Sequence, residues 1–141
     1  IRRDKVLQAI STERAQQTNI YHIRTEAVAT NSARAEYVYD YDSLRARVDI
    51  LHREEEEVQR ALATMPHPVL MVDYDALVAD PERQMRRILD FLGIVRPQIV
   101  TNTRVIKILG DEAAATADRF CHDHEDRTGT PVRRYFTSPL A

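Results

Sequence analysis

The 141 residues carry 20 Lys plus Arg against 22 Asp plus Glu, a net charge of −2. Hydrophobic residues at 43% and charged residues at 30% suit one folded domain and exclude a disordered tail. The near-neutral balance excludes a generic polyanion binder, and no window reaches the roughly 18 apolar residues of a membrane span.

In chain order, Asp4 can cap a helix over about Lys5 to Gln17, with Val6, Leu7 and Ile10 as its buried side. Residues 18–41 are polar and mixed, with a Thr30-Asn31-Ser32 patch, and read as a surface loop. Asp42-Ser43 opens the longest predicted helix, to about Thr64. Its stripe is Leu44, Val48, Leu51, Val58 and Leu62, interrupted by Glu55. The acidic run Glu54 to Glu57 reads as a solvated face, with Arg53–Glu57 and Glu56–Arg60 as i,i+4 pairs. After the Met65-Pro66-His67-Pro68 break, Val69-Leu70-Met71-Val72 suits a strand buried on both faces, as in a parallel sheet.

Asp80 then caps a helix with Pro81 first and Glu82 in its opening turn. Met85, Ile88, Leu89 and Leu92 form its expected core side, and Gly93 its left-handed end. Arg86-Arg87 read as solvated. Val105 to Leu109 is ambiguous between helix and strand. A last helix is predicted from Gly110-Asp111 to about His124, with Ala113, Ala117, Phe120, Cys121 and His124 inward. From Asp126 to Ala141 an extended tail is expected.

The single cysteine, Cys121, excludes an internal disulfide and suits a reducing compartment, so a cytoplasmic location is expected. Cys121 itself reads as a small core residue. His122 and His124 are two apart on a predicted helix, a spacing that points them to different faces, so no metal is expected there. No G-x-S-x-G elbow supports a hydrolase triad, and no aromatic-basic interleaving supports nucleic-acid binding. The three glycines assemble no Walker loop and no G-x-G-x-x-G. With Ile1-Arg2-Arg3-Asp4 opening as if inside an element, residues 1–141 read as the C-terminal part of a larger domain.

One constellation points to chemistry. Arg3 stands where an extended segment meets a helix N-terminus, a place that offers an anion both guanidinium donors and the helix dipole. Ser11 lies eight residues on, about 10–11 Å along the helix, so both reach one nucleotide only if it lies along the helix.

Arg3-Asp4 followed by Ser11 resembles the 3′-phosphate-binding motif of sulfotransferases that use 3′-phosphoadenosine 5′-phosphosulfate (PAPS). The stretch from Arg2 to Ser11, continuing through Ala15-Gln16-Gln17-Thr18, is similar to the bacterial branch that includes trehalose sulfotransferases. A second block agrees: Val72-Asp73-Tyr74-Asp75-Ala76-Leu77-Val78-Ala79-Asp80-Pro81, then Ile88 to Ile94. Tyr39-Asp40-Tyr41-Asp42 also fits that branch, and the likeness covers about residues 1–95. It implies an α/β, P-loop-like fold with a parallel sheet, of which this chain is the helix-rich C-terminal half. It implies sulfuryl transfer from PAPS to a hydroxyl of a carbohydrate or glycolipid, with no metal, and the bacterial branch suggests a homodimer. Arg3 and Ser11 are then the 3′-phosphate ligands. The loop that cradles the 5′-phosphosulfate and the usual general base have no counterpart here, so no catalytic residue is assigned, and this segment alone is expected to be inactive. Many members close over the phosphate with a late basic loop. Arg127-Thr128-Gly129-Thr130-Pro131-Val132-Arg133-Arg134-Tyr135 has its ingredients, which makes Arg133 and Arg134 candidates. The rival readings are a P-loop kinase-like phosphotransferase fragment and a non-catalytic helical interaction module.

Overall fold

A computed structural model describes residues 1–19, 21, 37–95 and 111–137. Thr30-Asn31-Ser32 and the Val105–Leu109 stretch lie outside these. Among the described residues the elements are α1 (Lys5–Thr18), α2 (Tyr41–Ala63), α3 (Tyr74–Ala79), α4 (Pro81–Phe91) and α5 (Asp111–Thr128). None of these helices is long and apolar enough to cross a membrane.

α1 lies against both α2 and α5. The core is Val6, Ala9 and Ile10 of α1, Tyr41, Leu44 and Val48 of α2, and Ala113, Ala117 and Phe120 of α5. Alanines on α1 and α5 let the helices approach, and the Phe120 ring fills the remaining space at 5.5 Å from the Tyr41 ring. Burying Phe120 completely contributes about 1.5–3 kcal/mol.

Capping explains the helix boundaries. Asp4 accepts from the Leu7 amide and Asp80 from the Arg83 amide, both as the sequence predicts. α2 starts earlier than expected, because Asp40 supplies the cap to the Asp42 and Ser43 amides. α4 ends in a Schellman motif: Gly93 at φ 67° donates to Asp90 O while Ile94 donates to Leu89 O. α5 runs on past the expected end at His124 to Thr128, and Gly129 at φ 70° turns the chain into an extended tail.

Two expected core faces are corrected. On α2 the buried line runs Tyr41, Leu44, Val48, His52 and Gln59, with Glu55 half-buried; Val58 is 51% exposed. The polar positions are tolerated because Glu55 meets a buried cation, Lys5, at 3.0 Å. On α4 the buried residue is Gln84, whereas Met85 and Leu92 are exposed. α4 lies against α3 rather than on the three-helix core.

No regular strand occurs among the described residues. Val69 to Val72 is extended but half-exposed, not buried on both faces. It is engaged at one rung: the Ile1 amino group donates to Val72 O, and the Tyr74 amide donates to Ile1 O. That bonding is the parallel pattern, with Ile1 opposite Asp73. Residues 3–5 meanwhile take the tail in antiparallel fashion. Lys5 N donates to Arg134 O, and Phe136 N donates to Arg3 O. Residues 1–5 therefore lie between two extended segments, and α1 springs from the middle one.

Candidate nucleotide-binding site

The fold gathers charge where α1 begins. Arg3 is exposed, and its Nε lies 2.9 Å from Asp73 Oδ2. The contact is an ion pair without hydrogen-bond alignment, since Asp73 Oδ2 has no hydrogen-bond partner among the described residues. The other Asp73 oxygen accepts from the Ala76 amide and caps α3. The Arg3 side chain thus turns away from α1, toward the start of α3. Its terminal nitrogens have no partner among the described residues, so most of its five donors remain available. Arg2 lies beside it, with its guanidinium 5.1 Å from the Tyr74 ring centre.

Ser11 sits half-buried two turns into α1, and its hydroxyl makes no hydrogen bond among the described residues. Among the described residues, nothing links it to Arg3. The helix tip between them is occupied. Asp4 puts one carboxylate oxygen on the Leu7 amide and the other on Arg134 Nε at 2.9 Å. That carboxylate already answers the positive end of the α1 dipole. A phosphate here would be held by side chains beside the tip rather than by its backbone amides.

The tail brings the two late candidates to the same end of the molecule. Arg134 sits between Asp4 and Asp118, whose carboxylates hold its guanidinium at 2.9 and 3.2 Å. Burial lowers its pKa, but the hydrogen bonds and charges of Asp4, Tyr135 and Asp118 together raise it overall. Arg133 points to the α2 side, pairing with Glu56 at 2.7 Å. Glu56 therefore serves the tail, and the expected Glu56–Arg60 side-chain pair is replaced by a bond from Arg60 to the Glu56 carbonyl. Arg127, in the same basic stretch, lies elsewhere, over the Tyr41 ring at 4.0 Å. The structure thus collects Arg3 and Arg134 around one extended segment, sets Arg133 on its α2 flank, and leaves Ser11 deeper along the helix.

Sequence reasoning missed the acidic partners of these arginines and missed His52. Asp73, Asp118 and Glu56 stand 70, 16 and 77 residues from the arginines they pair with, and no local pattern signals such pairs. His52 is buried on α2, and its Nε2 lies 2.6 Å from the Arg133 carbonyl oxygen. A carbonyl only accepts, so the imidazole proton belongs on Nε2. Burial, with Arg133 and Lys5 nearby, keeps the pKa of His52 below its usual value. Asp49, His52, Arg53, Glu56 and Arg133 line an open cleft of about 460 Å³.

The Cys121 neighbourhood behaves as ordinary structure. Burial raises the thiol pKa. His122 faces Asp126 in the open, while His124 Nδ1 meets the Tyr41 hydroxyl at 3.0 Å.

A family model described as Stf0 sulphotransferase matches residues 1–123. The chain belongs to the Stf0 sulphotransferase family. This is the trehalose-sulfotransferase-like family that Arg3, Ser11 and the Val72–Pro81 block resemble. No curated protein and no solved structure matches the chain. The matched span runs from Ile1 through most of α5, so it includes Arg3, Ser11 and Asp73 and stops short of Arg133 and Arg134.

Proposed function

We propose that the chain is the C-terminal part of a single PAPS-dependent sulfotransferase domain, acting on a hydroxyl of a carbohydrate or glycolipid. The family match over residues 1–123 carries this reading. The proposed fold is the P-loop-like α/β fold with a parallel sheet, and the parallel bonding of Ile1 to Val72 and Tyr74 supports it. In the reaction the acceptor oxygen bonds to sulfur, the bond from sulfur to the nucleotide 5′-phosphate oxygen breaks, and the acceptor proton leaves. The departing product is 3′-phosphoadenosine 5′-phosphate.

The residues of this chain act on the far end of the donor. Arg3 would give the 3′-phosphate charge-assisted, bidentate hydrogen bonds. Ser11 would add a neutral one, worth about 1 kcal/mol. Arg133 and Arg134 would close from the tail, each exchanging a carboxylate for the phosphate. Binding energy collected there positions the distant sulfur without touching it. The exposed Arg3 guanidinium, with donors to spare, supports its role.

A second reading has an observation of its own: Arg3, Arg133 and Arg134 all have carboxylate partners already. In a non-catalytic helical module those pairs would simply staple segments together. Arg3→Ala in the full-length protein separates the two readings. The proposed function requires 3′-phosphoadenosine 5′-phosphate to weaken by about 1.5–3 kcal/mol, with adenosine 5′-phosphate nearly unchanged in titration calorimetry. Equal losses for both ligands, or none, would reject the site; no binding by the unsubstituted protein would favour the module.

A further inference from the structure

The tail that carries Arg133 and Arg134 is held by side chains, with Arg134 on Asp4 and Asp118, Arg133 on Glu56 and Phe136 buried, and by its backbone. Two backbone bonds join it to residues 3–5, and from α2 the buried side chain of His52 holds the tail backbone itself. His52 is 8% exposed and its ring lies 6.2 Å from that of Phe136. Its Nδ1 is buried with no partner among the described residues, so the ring offers the tail one donor, Nε2–H.

Resting on the nucleotide reading above, we propose that His52 is a positioning residue for the nucleotide 3′-phosphate, holding the Arg133–Arg134 backbone in place beside Arg3. Its Nε2–H grips the Arg133 carbonyl, while the Lys5 amide grips the Arg134 carbonyl. Both arginines are therefore fixed at the backbone independently of their guanidiniums, which Asp4 and Asp118 (for Arg134) and Glu56 (for Arg133) hold and which a phosphate would have to take from those carboxylates. Fixing them in advance spares the ordering cost that binding would otherwise meet. The surroundings keep the ring in its gripping form. Burial first, then Arg133 of the tail and Lys5 of α1, oppose a second proton, while the bond to the Arg133 carbonyl and Glu56 of α2 favour one. Asp49 and Arg53 of α2 share the adjoining cleft, and Phe136 covers the ring from the tail.

The test uses the full-length protein and two variants. His52→Phe keeps a ring against Phe136 but has no donor; His52→Gln keeps a donor. Amide hydrogen exchange is read at Lys5 and Phe136, the two donors of the tail bonds, and affinity is read for 3′-phosphoadenosine 5′-phosphate and adenosine 5′-phosphate. H52F should speed exchange at those two amides and weaken the 3′-phosphorylated ligand about tenfold, leaving adenosine 5′-phosphate unchanged. H52Q should restore slow exchange at both amides and affinity within about threefold. Unchanged affinity in H52F overturns the proposal, as does affinity lost without faster exchange. Faster exchange throughout α1, α2 and α5 also overturns it, in favour of a purely structural role. An unsubstituted protein with no preference for the 3′-phosphate overturns instead the nucleotide reading on which the proposal rests.

Discussion

The α1–α2–α5 bundle and the α3–α4 pair are built from equally regular helices, yet they bury their side chains differently. In the bundle, apolar faces from three helices meet and exclude water around Phe120. In the pair, Met85, Phe91 and Leu92 stay at the surface, and the buried residue is an amide, Gln84, held by Arg87. The pair is tied to the rest chiefly by the Ile1 rung, the Arg3–Asp73 ion pair and the Arg2–Tyr74 contact. Helicity in α4 rests on its caps and side-chain pairs, whereas helicity in the three-helix bundle rests on burial.

That contrast can be broken most sharply at Phe120. Phe120→Ala should cost about 3–5 kcal/mol, measured by urea unfolding, because a full ring leaves a closed space. A smaller effect comes from acid. His52 and His124 both hold their pKa below the usual 6.5, each chiefly through burial. The unfolded chain takes up these protons near 6.5, while the folded chain refuses them until lower pH. Stability is therefore full above pH 6.5 and declines as pH falls below it, by at most about 1.4 kcal/mol per unit for each imidazole. Thermal unfolding at pH 7.5 and 5.5 should show a lower midpoint in acid, and His52→Gln should lessen the drop. The smallest effect is expected at Leu92, already 58% exposed: Leu92→Ala should shift stability by less than about 0.5 kcal/mol in the same urea assay. A cost near that of Phe120→Ala would show that the two regions bury their side chains alike.

Much of this layout was legible where the signal is local. Asp4 and Asp80 announce helix starts, and Gly93 an end, because a cap needs only neighbours a few residues away. The candidate site was legible only in part. Arg3 and Ser11 came from a resemblance, but the partner of Arg3, Asp73, is far away along the chain. The α2 face was misjudged because Glu55 reads as a break in an apolar stripe until Lys5 is known to lie opposite. Leu92 and Met85 were misjudged in the other direction: periodicity reports which side of a helix is greasy, not whether anything rests on it.

The antiparallel seam between residues 3–5 and 134–136 also sets an order of assembly. Arg134 reaches Asp4 from 130 positions away. A ribosome must release the residues between them before Asp4 meets this guanidinium. The contact between α1 and α2 can therefore form during synthesis before the seam, which waits for residues 134–136.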